Sequence, residues 1–269
     1  MTKMILATFA ALACRPVGGL APASRASVKE SFDWSWAMQP SLEAQAMLRP
    51  EEADPTALLA SVLGADALST RGAAREMACA DAVRTVPAAL SAEVCAALRR
   101  FCDEEIEDQL DLDNTDGLPD FQVNVNFDAE LAELVGEGDH ASLRALPSVA
   151  FGADRDGFAR VGCFIRRYTA AERPFMKWHV DGNAFTANVA LSPPGDHDGG
   201  DLVAVYGSRC RSVPRALGEA TIHRGGLCHG VRPLTRGYRY SLILFFHDDR
   251  SLDERTSRDA ANLAEVAGS

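Results

Sequence analysis

Two histidines and one aspartate have a spacing that suits a metal site. His179 and Asp181 form an H-x-D triplet, and His229 follows downstream of both. On a β-strand, residues i and i+2 point to the same face, so this imidazole and this carboxylate would project toward one point. Two imidazole nitrogens and one carboxylate oxygen on one face of an octahedron leave three positions open, an arrangement that suits iron(II). The spacing therefore predicts an iron(II) site at His179, Asp181 and His229.

The H-x-D pattern alone is weak evidence, because the chain contains it twice. The second triplet, His247 to Asp249, has no histidine downstream of it and comes at the end of a predicted strand, so we reject it as a metal site. The other histidines are interpreted as structural: His223 at a strand end, His197 in a turn and His140 in a polar loop. The downstream partner His229 is what selects the first triplet.

An arginine ten residues after His229 adds a second chemical function. Arg239 begins the run RYSLILFF, whose alternation puts Arg239 and Ser241 on one face. A buried guanidinium there would pair through two hydrogen bonds with a carboxylate, such as the distal carboxylate of 2-oxoglutarate. Tyr168, at the end of the run RVGCFIRRY, would add a phenolic hydrogen bond, and Ser241 would either assist Arg239 or only pack beside it. Three open metal positions would accept two oxygens of 2-oxoglutarate and one O2 molecule.

Short strands must position these side chains. The runs that alternate or read as buried strands are FQVNVNF, RVGCFIRRY, AFTANVALS, DLVAVYG and RYSLILFF, separated by turns such as SPPGDHDGGD. Helical patterns precede them. Asp54 and Pro55 can cap and begin a helix through ALLASVLGADAL, and Ser91 can cap a second helix. The apolar positions of that second helix are Val94, Leu98, Phe101, Ile106 and Leu110. This order predicts an α+β protein whose strands form a sandwich or barrel of two sheets.

The charge of the chain argues against nucleic-acid binding. The formal net charge is −11, from 27 Lys and Arg against 38 Asp and Glu, and neutralising phosphates needs clustered basic residues. Between Asp103 and Asp116 there are many acids and no basic residue. We interpret this segment as a solvated helix face and loop, and the alternative is an electrostatic funnel for a basic substrate. A peptide or small-molecule substrate fits this composition.

The N-terminal segment 1–29 differs from the rest of the chain, because it contains no Asp or Glu. Met4 to Cys14 is a mostly apolar run of eleven after Lys3, typical of a signal peptide and too short to span a bilayer. The basic, hydroxylated stretch that follows is typical of a transit peptide. We predict a cleaved presequence directed to the secretory pathway or endoplasmic reticulum, or to a plastid, with no stable membrane anchor left after cleavage. The alternative is a buried N-terminal helix.

The seven cysteines show no C-x-x-C spacing, so a zinc ribbon or thioredoxin motif is excluded. Cys95 and Cys102 fall on the apolar stripe of the second predicted helix, where buried free thiols are the usual outcome. An even number of cysteines would remain after presequence cleavage, so disulfides stay an open alternative.

Three segments carry a resemblance to a known family: RRYTAAERPFMKWHVDG, DGGDLVAVYG and GEATIHRGGLCHGVRPLTRGYRYSLILFF. They resemble the catalytic domain of prolyl 4-hydroxylase-like oxygenases of the iron(II)/2-oxoglutarate superfamily, over about residues 85–248. The resemblance implies a double-stranded β-helix (jelly-roll) core with N-terminal flanking helices, and L-ascorbate as the reductant that restores iron. It implies His179, Asp181 and His229 as iron ligands, with Arg239 and Tyr168 next to the co-substrate.

Three functions follow as competing hypotheses. The first is a hydroxylase that acts on a peptidyl residue, with proline expected, and releases succinate and CO2. The second uses the same mechanism on a free small molecule, and the third is a cupin-like jelly roll that binds metal or ligand without this chemistry. Animal collagen prolyl hydroxylases carry lysine where this chain has Arg239, so the proline is less strongly implied than the co-substrate. The predicted organisation is a presequence (1–29), an N-terminal helical and loop extension (30–84), an iron(II)/2-oxoglutarate dioxygenase domain (85–250) and a charged tail (251–269).

Overall fold

The computed structural model of the protein describes residues 41–64, 72–108, 111–113, 115–154 and 156–249. The predicted presequence, Leu110 and the charged tail lie outside these ranges. Among the described residues, no helix is long and apolar enough to cross a membrane.

Two antiparallel sheets form the centre of the fold. Their strands are β1 (Val83–Val86), β2 (Gln122–Asn124), β3 (Arg160–Thr169), β4 (Met176–His179), β5 (Phe185–Ala190), β6 (His197–Gly199), β7 (Leu202–Tyr206), β8 (Arg209–Val213), β9 (Ala220–Arg224), β10 (His229–Val231) and β11 (Leu234–His247). The larger sheet has the order β1-β9-β5-β11-β3-β2, with β6 also paired to β11, and the smaller has the order β4-β10-β7-β8. Neighbouring strands are mostly distant in sequence, as in a jelly roll. The predicted α+β class with a double-stranded β-helix core is confirmed.

Strand β11 is the longest strand of the larger sheet. It pairs with β3 from Tyr238 opposite Thr169 to His247 opposite Arg160, and with β5 on its other edge. The alternation seen in the sequence holds: Tyr240, Leu242, Leu244 and Phe246 all join one apolar cluster. Arg239 and Ser241 therefore point to the opposite face of the sheet.

Within the described ranges, short helices flank the sheets: α1 (Leu42–Leu48), α2 (Pro55–Leu63), α3 (Ala73–Ala78), α4 (Ala92–Glu105), α5 (Ala132–Val135), α6 (Glu137–Arg144) and α7 (Leu146–Phe151). The predicted caps are confirmed, since the Asp54 side chain accepts hydrogen bonds from the first turn of α2 and Ser91 accepts one from Val94. Helix α2 ends at Leu63, earlier than predicted, because the next residue, Gly64, has a φ of 75°, which is outside the range of a right-handed helix.

The main apolar core lies between α4–α7 and the outward face of the larger sheet. It includes Leu98 and Cys102 from α4, Ile106 directly after α4 and Ile165 from β3, all fully buried. Burying a leucine or isoleucine side chain contributes about 1.5–3 kcal/mol, so this layer is a principal source of stability. The six described cysteines are all free, and Cys95 and Cys102 are buried as predicted.

A second apolar cluster joins α1 and α2 to the smaller sheet. Met47, Leu58 and Leu59 pack there with Trp178 and Cys228. The Trp178 indole N–H also donates to the Glu43 carbonyl, at 3.1 Å. Trp178 and Cys228 therefore face this apolar cluster, away from the histidines beside them.

Three local predictions are wrong. His197, expected in a turn, begins the short strand β6 and pairs with Gly237 of β11. The run FQVNVNF forms a strand only over Gln122–Asn124 and then enters a π-helical turn at Phe127, because the Asn126 side chain accepts the Ala129 N–H and caps that turn. His140 lies in helix α6, not in a polar loop, and its ring packs 4.6 Å from that of Phe127.

Part of the acidic segment is also not solvated as we interpreted it. Asp113 and Asp116 form ion pairs with Arg166 and Arg173, in which all four side chains are at most 8% exposed. Because these arginines lie on and after β3, the acidic loop (residues 111–113 and 115–120) is fastened to the sheet. The surface interpretation failed because the basic partners are distant in sequence and no local pattern points to them.

Candidate metal site

The three predicted ligands meet at one end of the smaller sheet. Strand β4 ends at His179 and β10 begins at His229, and these two residues are directly opposite each other in the antiparallel pair. Asp181 lies two residues beyond the end of β4, where its backbone N–H donates to the Gly225 carbonyl at 2.9 Å. The short distance between the histidines thus results from the pairing of two strands that are far apart in sequence.

The distances suit a single metal ion. His179 Nε2 lies 3.5 Å from Asp181 Oδ1, and His229 Nε2 lies 3.7 Å from Asp181 Oδ2. One ligand atom from each residue lies within 4.8 Å of the other two. In the part of the chain that the structure describes, this is the one group of three such side chains with that geometry.

Backbone carbonyls orient both imidazoles. His179 Nδ1 lies 2.7 Å from the Lys177 oxygen, and His229 Nδ1 lies 3.0 Å from the Leu227 oxygen. With the proton on Nδ1, each ring donates to its carbonyl and keeps the lone pair of Nε2 directed at Asp181. Such partners fix the tautomer that a metal ligand needs.

The protonation states also favour metal binding. Burial would raise the pKa of the Asp181 carboxyl, but the His229 and His179 rings outweigh burial and hold that pKa well below its usual range. Burial lowers the pKa of His229 to about 3. Asp181 thus offers an anionic oxygen and His229 a neutral nitrogen, the forms in which these groups bind metals. Burial would also lower the pKa of His179, but its hydrogen bond to Asp181 raises that pKa, so a metal ion would displace a proton there.

Two neighbours of the cluster were missed by sequence reasoning. Thr186 Oγ1 donates to Asp181 Oδ2 at 2.5 Å, and the His223 ring lies 4.5 Å from that of His229. His223 does lie near the end of its strand, but it is 1% exposed and faces the cluster. The alternation of β9, with Ala220 and Ile222 in the outer core, was the available signal for the inward direction of His223.

An open cavity of about 840 Å³ adjoins the cluster. Its lining includes His179 and Asp181, and it extends along the acidic loop past Asp120 and Arg166. His247, from the rejected H-x-D triplet, lies on its wall but outside the ligand cluster. The cavity leaves this side of the ligand cluster accessible.

Arg239, Tyr168 and Ser241 form a second group on the inward face of the larger sheet. Arg239 is opposite Tyr168 in the β11–β3 pair, and its guanidinium carbon lies 4.9 Å from the phenol ring. Tyr168 packs with Met176, which also lines the 840 Å³ cavity beside the ligand cluster. Arg239 instead lines a second cavity, of about 380 Å³. Arg239 and Ser241 are at most 3% exposed.

The Arg239 guanidinium has no partner for its terminal nitrogens. Both Nη atoms and the Ser241 hydroxyl are buried without a hydrogen bond. Burial lowers the pKa of Arg239, and Tyr168 and Asp201 offset this only in part. A buried charge without a partner is costly, so an anionic ligand would suit this position. Gly200 makes room for the Arg239 side chain, since a Cβ at position 200 would lie 2.9 Å from Arg239 Cδ.

Comparison with known proteins gives partial sequence matches. The chain is 41% identical over 86 residues to the multifunctional procollagen lysine hydroxylase and glycosyltransferase of Rattus norvegicus, covering 30% of this chain and 11% of that protein. It is 30% identical over 90 residues to a PKHD-type hydroxylase of Delftia acidovorans, covering 29% and 40%. The chain thus matches less than half the length of these curated relatives. No family model matches the sequence.

The fold has a solved counterpart. A prolyl-4-hydroxylase from Pseudomonas putida superposes with a TM-score of 0.50 at 21% identity, covering 71% of this chain and 98% of that chain. This likeness concerns the jelly-roll fold, and the relatives above supply the sequence relationship. The partial matches and the shared fold together support a relationship to prolyl 4-hydroxylase-like iron(II)- and 2-oxoglutarate-dependent oxygenases.

Proposed function

We propose that this protein is a dioxygenase that hydroxylates a C–H bond with iron(II) and 2-oxoglutarate. In the overall reaction, one atom of O2 enters the product hydroxyl and the other enters succinate, while CO2 is released. The observation that carries the proposal is the metal-ligand cluster together with the unpartnered guanidinium of Arg239. The cluster alone would equally suit a metal-binding jelly roll.

His179, Asp181 and His229 would hold the iron, because two imidazoles and one carboxylate match its ligand preference. When bound, iron(II) supplies the activation of O2 and the oxidative decarboxylation of 2-oxoglutarate. The chain contributes orientation: carbonyls of Lys177 and Leu227 fix the imidazole tautomers. L-ascorbate is proposed as the reductant on the family relationship alone.

Arg239 would bind the distal carboxylate of 2-oxoglutarate through its two free Nη atoms. Hydrogen bonds between a guanidinium and a carboxylate are short and strong, and excluding water strengthens them further. The Ser241 hydroxyl is also buried without a partner, two residues along the same face, and is available to donate to the same ligand. The Tyr168 phenol lies against Arg239 and completes the pocket.

For the substrate, we propose a peptidyl residue, with proline as the first candidate. The names of the procollagen lysine hydroxylase and of the prolyl-4-hydroxylase support a peptidyl substrate, and the open cavity beside the cluster has room for a side chain on an extended peptide. A free small molecule is the alternative.

The decisive test of the chemistry measures succinate formation from 2-oxoglutarate with iron(II) and ascorbate. We expect turnover by the wild-type protein, stimulated by substrate, and its loss in His179→Ala while circular dichroism shows a retained fold. Undiminished turnover in that variant would contradict the metal assignment. No turnover and no 2-oxoglutarate binding by the wild type would favour the cupin-like alternative.

The substrate proposal needs a separate experiment. A peptide array that includes prolyl and lysyl peptides is incubated with the active protein, and each peptide is scored by mass for the gain of one oxygen atom. Modification of prolyl peptides supports the proposal, and modification of lysyl peptides alone corrects the residue. If only free small molecules are oxidised, the peptidyl substrate is wrong.

For residues 1–29 we propose a cleaved presequence that leads to the secretory pathway or to a plastid. Its support is the acid-free composition and the apolar run after Lys3. N-terminal sequencing of the mature protein tests it, because a mature chain that still begins at Met1 would contradict cleavage.

A further inference from the structure

A second buried arginine lies beside the proposed co-substrate group. Arg166 is two residues before Tyr168 on the same face of β3, and it is opposite Ser241 on β11, just as Tyr168 is opposite Arg239. The four side chains therefore occupy neighbouring positions on the inward face of two paired strands. Arg166 is 6% exposed and lines the same cavity as His179 and Asp181.

Unlike Arg239, Arg166 already has a carboxylate partner. Its Nη2 lies 2.7 Å from Asp113 Oδ2 and also donates to the Gln122 side chain. Asp113 is in turn 3.2 Å from Arg173, which forms a second buried pair with Asp116 at 2.7 Å. Three ion pairs thus fasten the acidic loop, and only the Arg166–Asp113 pair involves Arg166.

The charge environment ties Arg166 to Tyr168 as well as to Asp113. Burial by itself would lower the pKa of Arg166, but Tyr168 and Asp113 beside it raise that pKa above its usual value. The pKa of Arg239 shifts in the opposite direction, because it has no carboxylate at hydrogen-bond distance. Arg166 is therefore engaged with Asp113 on one side, and Tyr168 is its next neighbour on the same face of β3.

We propose that Arg166 is a positioning residue that holds the Tyr168 hydroxyl in the co-substrate pocket, and that Asp113 of the acidic loop holds Arg166 in turn. This inference rests on the proposed function, because it requires that Arg239 and Tyr168 receive 2-oxoglutarate. It makes the affinity for 2-oxoglutarate depend on a loop that also forms the wall of the substrate cavity.

The experiment measures the binding of 2-oxoglutarate by calorimetry to the full chain loaded anaerobically with iron(II). In Arg166→Gln and in Asp113→Asn we expect the Kd for 2-oxoglutarate to rise about tenfold, the effect of losing one hydrogen bond to a charged group. The Kd for iron(II) should change far less than the Kd for 2-oxoglutarate, because neither residue is a metal ligand. Asp113→Asn preserves side-chain shape and serves if Arg166→Gln does not fold.

Asp116→Asn is the matched control. It removes an equally buried carboxylate of the same loop but leaves the Arg166–Asp113 pair intact. We expect it to lower the melting temperature as much as Asp113→Asn does and to leave 2-oxoglutarate affinity unchanged. An equal loss of affinity in Asp116→Asn, or unchanged affinity in Asp113→Asn, would overturn the inference.

Failure of the proposed function gives a different result. If Arg239→Met binds 2-oxoglutarate as tightly as the wild type, the co-substrate pocket itself is wrong, and the role of Arg166 is wrong with it. If Arg239→Met loses binding while Arg166→Gln retains it fully, only the inference about Arg166 is wrong.

Discussion

The two faces of the larger sheet differ in chemistry although the same strands build both. The outward face of β11 carries Tyr240, Leu242, Leu244 and Phe246 under the helices, and the inward face carries Arg239 and Ser241. Strand β9 divides in the same way, with Ile222 outward and His223 inward. A period of two residues therefore separates the stabilising layer from the functional layer within a single strand.

The energetics of the faces differ accordingly. Outward residues gain free energy by burial alone, and similar apolar side chains can replace one another at modest cost. Inward residues include unpartnered polar atoms, such as the Arg239 Nη atoms and the Ser241 hydroxyl, which cost stability in the absence of a ligand. Groups that break local packing rules at such a cost are expected at functional sites.

The largest expected effect is a loss of iron(II) affinity when Asp181 is replaced. Asp181→Ala removes the one anionic ligand, so we expect iron(II) affinity to fall by more than the roughly 100-fold reached by changes at residues behind the ligands. Dialysis against iron(II) followed by metal analysis measures this, with circular dichroism to follow the fold. Retention of iron(II) by the variant at wild-type affinity would contradict the ligand set.

A substitution in the core that covers the outward face should lower the stability of the protein and leave metal binding unchanged. Leu98→Ala creates a cavity in the core under α4, and we expect the free energy of unfolding to fall by about 2–5 kcal/mol. Leu48→Ala, at a leucine that is 43% exposed, is the control and should change stability far less. Urea titration measures both. If Leu98→Ala weakened iron(II) binding while stability was preserved, the separation of the two faces would be wrong.

Arg239→Met should affect binding without a matching loss of stability. We expect 2-oxoglutarate affinity to fall about 100-fold, because two charge-assisted hydrogen bonds are lost. The stability of the ligand-free protein should stay the same or rise, since an unpaired buried charge is removed. Calorimetry and thermal melting measure the two quantities. Arg236→Met is the control, because Arg236 is exposed and paired with Asp198; a similar loss there would point to an indirect effect.

The smallest expected effect concerns Thr186. Thr186→Val removes the donor to Asp181 Oδ2 and should weaken iron(II) binding about tenfold, as for other residues that orient a metal ligand. Thr221→Val is matched to it, because Thr221 is an equally buried inward threonine that donates to the Asn188 carbonyl instead. Equal iron(II) affinities in the two variants would show that the Thr186 hydrogen bond is not used.

The local sequence pattern was sufficient to predict features that depend on a single helix or strand. The caps at Asp54 and Ser91 and the alternation of RYSLILFF are set by neighbours within a few residues, and the structure has them as predicted. Local pattern failed at Phe127, where the Asn126 side chain ends the strand by capping a helical turn. A side chain such as that of Asn126 can bind backbone N–H groups in place of a neighbouring strand, and an alternating sequence pattern does not predict this.

The sequence by itself identified the residues of the two groups: His179, Asp181 and His229 by the H-x-D triplet with a downstream histidine, and Arg239 by its spacing from His229. Only the tertiary structure decided which groups surround them. His223 reaches the cluster because β9 pairs with β5, and Asp113 reaches Arg166 through an ion pair between segments that are distant in sequence. Strand register and ion pairing between distant segments depend on the whole packed sheet, so no local pattern in the chain encodes them.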